Sequence, residues 1–397
     1  MLKCVFLFYI KPAKTSKMEI KTIQAESIGD FRQQFENCQT DGFSPNVAIV
    51  FASVSLELQE LTNILKENRI QLFGASSCGE FLYDLENQNI TEGSLVCALL
   101  KLKPGTFAIH DFAKNSSGSF ELGKSVGSWA KSVFAEPALL IMASGLTTDG
   151  EQIVNGIQQM TSKGITMFGG LAGDDARFKQ TFVFTENRID DDGAVALVLD
   201  TRFYNVSGLA TSGWVGIGAD KIITHSEGNI VYTIDGEPAL DFYTGYLNVN
   251  DSELPEIGVE YPLLLKKTGS LEVLRAVTNV DREKKALIFA GSVPTGAIVT
   301  FSTSPGFDII EATCNKVNEF YMENIDTDLL VLFSCMARHN ALGPTISEEI
   351  DHAWQNWKKP LIGFFTYGEI GSSFNAACDF HNETFTMVSI KEKNNVE

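Results

Sequence analysis

Apolar and polar positions along this chain fall into one pattern written three times. Val47 to Ala52 (VAIVFA), Ala138 to Ala143 (ALLIMA) and Leu329 to Ser334 (LLVLFS) are unbroken apolar runs of strand length. Each leads through a stretch of helical period to a second apolar run that ends in glycines: IQLFGASSCGEF, ITMFGGLAGDDARF and LIGFFTYGEIG. Apolar runs of this length predict strands. Gly74 to Gly79 and Gly363 to Gly368 span five residues and Gly169 to Gly173 one fewer, and an acid follows the last glycine in each: Glu80, Asp174 and Glu369. A β-rich segment closes each copy (SLVCALLKL, AVALVLD, FTMVSI). Such self-similarity predicts an α/β protein of layered mixed sheets with helices, assembled from repeated strand-helix-strand-Gly-x-x-x-x-Gly-acid units.

The intervening segments carry helix signals. Ser27 stands before Ile28, Phe31, Phe35 and Cys38; Ser55 before Leu58, Leu61 and Leu65; Asp149, with Gln152, before Ile153, Val154, Ile157 and Met160. Thr345 with Glu348 reads as a capping box ahead of Ile350, Ala353, Trp354 and Trp357, and Gly164 as a helix stop. Residues 2–10 read as a first strand, and TFVF with AVALVLD as a hairpin around Asp190 to Gly193. GSFELGKS, at Gly118 to Ser125, matches the phosphate-loop pattern letter for letter. Leu122, Val126, Trp129 and Val133 nevertheless share a helical face from near Ser119, and Glu121 puts negative charge where phosphates would sit, so the segment reads as a helix. A change of texture near residues 210–235 divides the chain into domains 1–212 and 213–397, the second with further strands near 261–265, 271–278, 286–289 and 297–302.

Composition narrows the function. A net charge of −19 over 397 residues, with no basic stripe, excludes a nucleic-acid surface. No apolar run approaches the roughly 20 residues needed to cross a bilayer. Seven cysteines with no C-x-x-C pair suit reduced thiols, and the expected setting is soluble and cytoplasmic, away from the membrane.

The segments GASSCGEF, MFGGLAGDDARFKQTFVF, DGAVAL, TIDGEPALDFY, GSVPTGAIVTF, LFSCMARHNALG and GFFTYGEIGSSFNAACDFHNETF, in this order, resemble the FIST proteins, with an N-terminal FIST domain followed by a FIST C-terminal domain. The resemblance implies a sensory input module that binds an amino acid or similar small polar ligand and signals to a separate partner, such as a histidine kinase. Some relatives look like haem-bound nitric-oxide sensors, which makes haem the alternative to having no cofactor.

The ligand candidates are the turn residues: Ser77, Gly79 and Glu80 in the first copy, Gly170, Gly173 and Asp174 in the second, Tyr367, Gly368 and Glu369 in the third. A carboxylate beside unhindered backbone suits an ammonium group on one side and a carboxylate on the other. Phe364, Phe365 and Phe374 bracket the third turn. Arg338 either clamps a ligand carboxylate or forms a salt bridge to Glu369 or Asp379. Cys78 or Cys335, the latter four residues before His339, would be the nucleophile of an enzyme, a lesser reading. The five histidines show no metal spacing; Asp379 and His381 share a strand face, and His381 or His339 would be the axial ligand of a haem.

Overall fold

The computed structural model describes residues 18–161, 165–254, 256–266, 272–303, 308–372 and 378–394. The strand expected at 2–10, the helix stop at Gly164 and the pocket candidate Phe374 lie outside them.

Three units share one order of elements. In the first, an edge strand Glu19–Ala25 and helix Ile28–Cys38 lead to strand Val47–Ala52, helix Leu58–Glu67, strand Gln71–Ser76, a hairpin (Glu80–Tyr83, Gln88–Thr91) and strand Leu95–Lys101. The second runs Phe107–Ala113, Gly118–Val133, Pro137–Ala143, Gly150–Thr161, Thr166–Leu171, a hairpin (Val183–Phe184, Ile189–Asp190) and Gly193–Asp200. The third runs Tyr204–Thr211, Asp308–Glu323, Leu329–Cys335, Met336–Leu342 with Ile346–Trp357, Leu361–Thr366, a hairpin (Glu369–Gly371, Asp379–His381) and Phe385–Glu392. In each unit the two inner strands are parallel, with Val50 beside Gly74, Ile141 beside Gly169 and Phe333 beside Phe364.

Every unit gives its hairpin away. Glu80–Tyr83 pairs with Leu361–Thr366 of the third unit, Val183–Phe184 with Gln71–Ser76 of the first, and Glu369–Gly371 with Thr166–Leu171 of the second. The exchange closes a ring of three six-stranded sheets. In the first and third units the Gly-acid turn is where the chain crosses to the neighbouring unit.

The unbroken apolar runs follow from this arrangement. Val47, Ile49 and Phe51 face a common centre with Leu140, Met142, Val331 and Phe333; Phe51 stacks on Phe364 at 4.4 Å and meets Phe333 edge-on at 6.1 Å. The alternate residues Ala48, Val50 and Ala52 face the unit's own two helices, as Leu139, Ile141 and Ala143 do in the second unit and Leu330 and Leu332 in the third. A strand covered on both faces has no polar side to show.

Two capping expectations hold: the Ser27 hydroxyl accepts from the Asp30 amide at 3.2 Å, and Asp149 Oδ1 from the Gln152 amide at 3.0 Å. Two do not. The helix after Ser55 starts at Leu58 behind Glu57, and Ser55 instead shares a 2.6 Å hydroxyl contact with Ser53. Thr345 stands at the N-cap, but its hydroxyl donates backward to the Leu342 carbonyl at 2.6 Å and caps no helix amide. TFVF and AVALVLD also part company: Val183–Phe184 pairs with Ile189–Asp190, and Gly193–Asp200 lies in the second sheet between Pro137–Ala143 and Phe107–Ala113. The phosphate-loop match lies within helix Gly118–Val133, as its apolar face predicts.

The expected 212/213 boundary falls between Tyr204–Thr211 and an inserted eight-stranded sheet that runs from Val215–Glu227 to Ile298–Thr303 around its own core of Val231, Leu265, Leu287 and Phe301. Buried Arg275 ties this insert to the ring. Its Nε donates to the Ser292 carbonyl at 3.1 Å, Nη1 to the Phe380 carbonyl at 3.2 Å, and Nη2 to Glu151 at 3.0 Å. The Ser292 amide reaches the same Glu151 oxygen at 2.8 Å.

Candidate functional site

The turns of all three units meet at one place. Gly173 donates its amide to the Ser76 carbonyl at 2.9 Å and Asp175 donates to Ser77 at 2.9 Å, so the second turn lies on the first. From the third turn, the Tyr367 hydroxyl donates to Asp174 Oδ1, and its ring stacks on Phe178 at 5.0 Å, 8° from parallel. Gly173 is required here because a Cβ would stand 2.4 Å from Cys78 Sγ and 2.9 Å from the Cys78 amide. Gly173→Ala is expected to destabilise the protein by about 1–3 kcal/mol, the usual range for overpacking, and a urea midpoint unchanged from wild type would show that the two turns do not touch.

Asp174 holds its turn by accepting three backbone amides: Phe178 at 3.0 Å, Lys179 at 2.6 Å and Gln180 at 3.0 Å. Burial pushes its carboxyl up, but the Tyr367 hydroxyl and these amides outweigh it and hold the group below its ordinary value. They stabilise an unusual backbone: Asp175, Ala176 and Phe178 all have positive φ, 54°, 56° and 52°. Left-handed conformations cost about 1–2 kcal/mol per non-glycine residue. Strain of this kind collects at functional sites.

Beside the turns lies a cavity of about 360 Å³, lined by Ser55, Cys78, Glu92 and Gly93 of the first unit, Asp175, Ala176 and Arg177 of the second, and Met336 of the third. Ser55, Cys78, Asp175 and Met336 each follow the carboxyl end of an inner parallel strand, where α/β sheets place ligands. Its size suits a small molecule.

None of the ten residues expected from the sequence lines this cavity; several stand immediately behind it. Glu80 and Glu369 are fully buried in matching cradles. Ser77, three residues before Glu80, donates to its Oε1, and Ser94 donates to Oε2 through its hydroxyl at 2.9 Å and its amide at 3.3 Å. Thr366, three residues before Glu369, does the same, and Thr384 supplies the hydroxyl at 2.7 Å and the amide at 3.2 Å. Burial pushes Glu80 up to about 8 and Glu369 up to about 7 against these hydrogen bonds. The two acids fasten the exchanged hairpins. In the second unit Val183 opens the hairpin instead, and Asp174 lies nine residues earlier in a longer turn, so the third member of the Gly-acid series does a different job. Gly170 pairs with Glu369, and the amide of Leu171 donates to the Gly368 carbonyl at 2.8 Å. Gly79, with φ of 116°, starts the first crossing.

Arg338 pairs neither with Glu369 nor with Asp379, nor does it line the cavity. Its fork is closed on Glu349, Nε at 2.8 Å and Nη2 on the second oxygen, with Thr313 at 2.6 Å and the carbonyls of Ser212 and Glu383 taking the remaining donors. Both partners of the pair are fully buried.

The thiols are poorly suited to nucleophilic work. Burial pushes Cys78 up to about 11 and Cys335 well above its ordinary value, the opposite of the lowered pKa a reactive thiolate needs. Neither haem candidate lines the cavity. His381 is buried, with Nε2 3.1 Å from the Gly371 carbonyl; His339 lies flat on Phe365 at 4.2 Å, and its buried Nδ1 has no hydrogen-bond partner among the described residues. Among the described residues no group of three His, Cys, Asp or Glu side chains is placed to hold a metal ion.

Sequence reasoning missed Ser55, Glu92, Gly93, Asp175, Ala176, Arg177 and Met336 as cavity residues. The DARF segment could have pointed to three of them, since it directly follows a predicted strand-end turn; nothing local marks Glu92.

No curated protein matches the chain. Models of the FIST N domain and the FIST C domain do, over residues 46–237 and 239–372. FIST domains are sensory modules of signal transduction rather than catalysts. With both domains present in order and covering most of its length, this chain belongs to the FIST family.

Proposed function

We propose that the protein is a signal-input module that binds a small polar metabolite of amino-acid size in the three-unit cavity and passes the bound state to a separate signalling protein. The observation that carries this reading is the convergence: one 360 Å³ cavity takes wall residues from all three units. A ligand there touches segments far apart in sequence, and its affinity therefore depends on how the units sit together. Differential affinity for two arrangements is the means by which a ligand shifts a conformational equilibrium. The strained, acid-capped segment Asp174 to Gln180 supplies Asp175, Ala176 and Arg177 of that wall.

Thermal-shift measurements across a panel of amino acids and polar metabolites test the reading. A true ligand is expected to raise the melting temperature, by about 2.7 kcal/mol of added stability at a hundredfold excess over Kd. Ser55→Trp, which fills the cavity from its exposed rim, should remove that response, whereas Lys131→Ala, on the second unit's helix and away from the cavity wall, should keep it. A response that persists undiminished in Ser55→Trp would place the ligand elsewhere and end the proposal.

A further inference from the structure

Resting on that reading, we infer that the cavity is built for an organic amine that carries positive charge and no carboxylate of its own, its ammonium group held between Glu92 and Asp175. Three charged side chains line the cavity: Glu92, Asp175 and Arg177. The one cation is already answered, with Arg177 Nη2 3.1 Å from Asp175 Oδ2. The Ser53 hydroxyl donates to that same oxygen at 2.8 Å. Among the described residues no hydrogen bond or ion pair reaches Asp175 Oδ1 or the Glu92 carboxylate. Negative charge is thus in excess on the cavity wall.

The two carboxylates also feel one another. Burial first, and then the neighbouring charges of Asp174 and Glu92, push Asp175 above its ordinary value, whereas Ser53 and Arg177 pull it down. Like charges that line one cavity are relieved by a cation placed beside both. No other basic group lines the wall; burial lowers the pKa of His339, which stands off the wall, against the opposing pull of Glu92. An incoming carboxylate would meet no unpaired cation and would have to part Arg177 from Asp175, a built-in bias against anions. The chain's net charge of −19 further draws cations from solution. A bare metal ion is ill served, since the described residues gather no three metal-binding side chains. An organic cation brings its own scaffold, and the sulfur side chains of Cys78 and Met336 offer methylene groups a soft apolar wall.

Titration calorimetry of the full-length protein with putrescine, cadaverine, ornithine, lysine and glutarate tests this. The diamines are expected to bind, with affinity that falls as salt is raised. Ornithine and lysine, which differ from them by one α-carboxylate, should bind at least about tenfold more weakly, the effect of roughly one unfavourable charge contact. Glutarate should not bind. Glu92→Gln should weaken the diamines about tenfold, and Arg177→Gln, by releasing Asp175, should strengthen them. The second variant keeps the test decisive if Glu92→Gln folds poorly. Ornithine binding as tightly as putrescine, or Arg177→Gln abolishing binding, would mean that the ligand's carboxylate is what is recognised; this inference would fall and the sensor reading would stand. Binding of glutarate, or of none of the amines, also overturns it.

Discussion

Arg338→Ala is expected to destabilise the protein by about 3–5 kcal/mol, the range for removing one partner of a buried ion pair. The loss comes less from the pair itself than from what remains. Glu349 is fully buried and has its carboxylate closed on the guanidinium; without it, a charge sits in the core between helix Asp308–Glu323 and helix Ile346–Trp357. Thr313 and the carbonyls of Ser212 and Glu383 lose their donor at the same time. The Ser212 carbonyl lies at the entry to the inserted sheet and Glu383 in the turn before the last strand, so one side chain joins three distant segments. Arg338→Lys should recover little, because a point charge cannot satisfy both carboxylate oxygens and two carbonyls from one place. Denaturant unfolding measures both variants. An unchanged midpoint in Arg338→Ala would show that Glu349 finds another partner, and would reopen a ligand role for the arginine.

The second large effect is a pH dependence centred on Glu80. In the unfolded chain a glutamate loses its proton near 4.5; folded, Glu80 keeps it to about 8 and Glu369 to about 7, because burial penalises the charged form. Between those limits the folded state holds more protons than the unfolded state, so stability falls as pH rises. The contribution is fully present below about pH 4.5 and is gone above about pH 8. At 1.36 kcal/mol per pKa unit, Glu80 alone amounts to something on the order of 5 kcal/mol across the window. Glu80→Gln mimics the protonated acid, with a carbonyl to accept from Ser94 and an amide to donate to Ser77. It is expected to reduce the fall between about pH 4.5 and pH 8, leaving the share of Glu369, and to exceed wild type in stability at the alkaline end. Equal slopes in wild type and variant would show that Glu80 is ionised in the fold, and its cradle would then be one for a carboxylate.

Both predictions concern residues that the sequence offers as ligand contacts and that the fold uses for joining. The reason is topological. A glycine followed by an acid at a strand end has the same local signature whether the acid points into a cavity or fastens a hairpin to the neighbouring sheet. Ser77 and Thr366, each three residues before its acid, and Ser94 and Thr384, 14 and 15 residues after, supply the hydroxyls of a buried carboxyl. The second unit has neither an acid opening its hairpin nor the hydroxyl pair: Leu171 and Val183 stand there, and the buried Asp174 goes to a longer turn. Read against one another, the three copies contain this distinction; read singly, none does.

What the sequence by itself determined is the unit. Apolar runs of strand length, helical periods between them and glycines at the strand ends describe a strand-helix-strand unit in layers, and the fold contains three. These features are local, since periodicity and turn chemistry act over a few residues. Only the tertiary structure decided that the units exchange hairpins in a ring, that Arg338 belongs to Glu349 and Arg275 to Glu151, and that Ser55, Glu92, Asp175, Arg177 and Met336 share one cavity. Each of those pairings joins segments separated by an uncommitted stretch of chain, and the energy that selects them, burial of a charge with its partner or of one apolar face against another, exists only once the layers have closed.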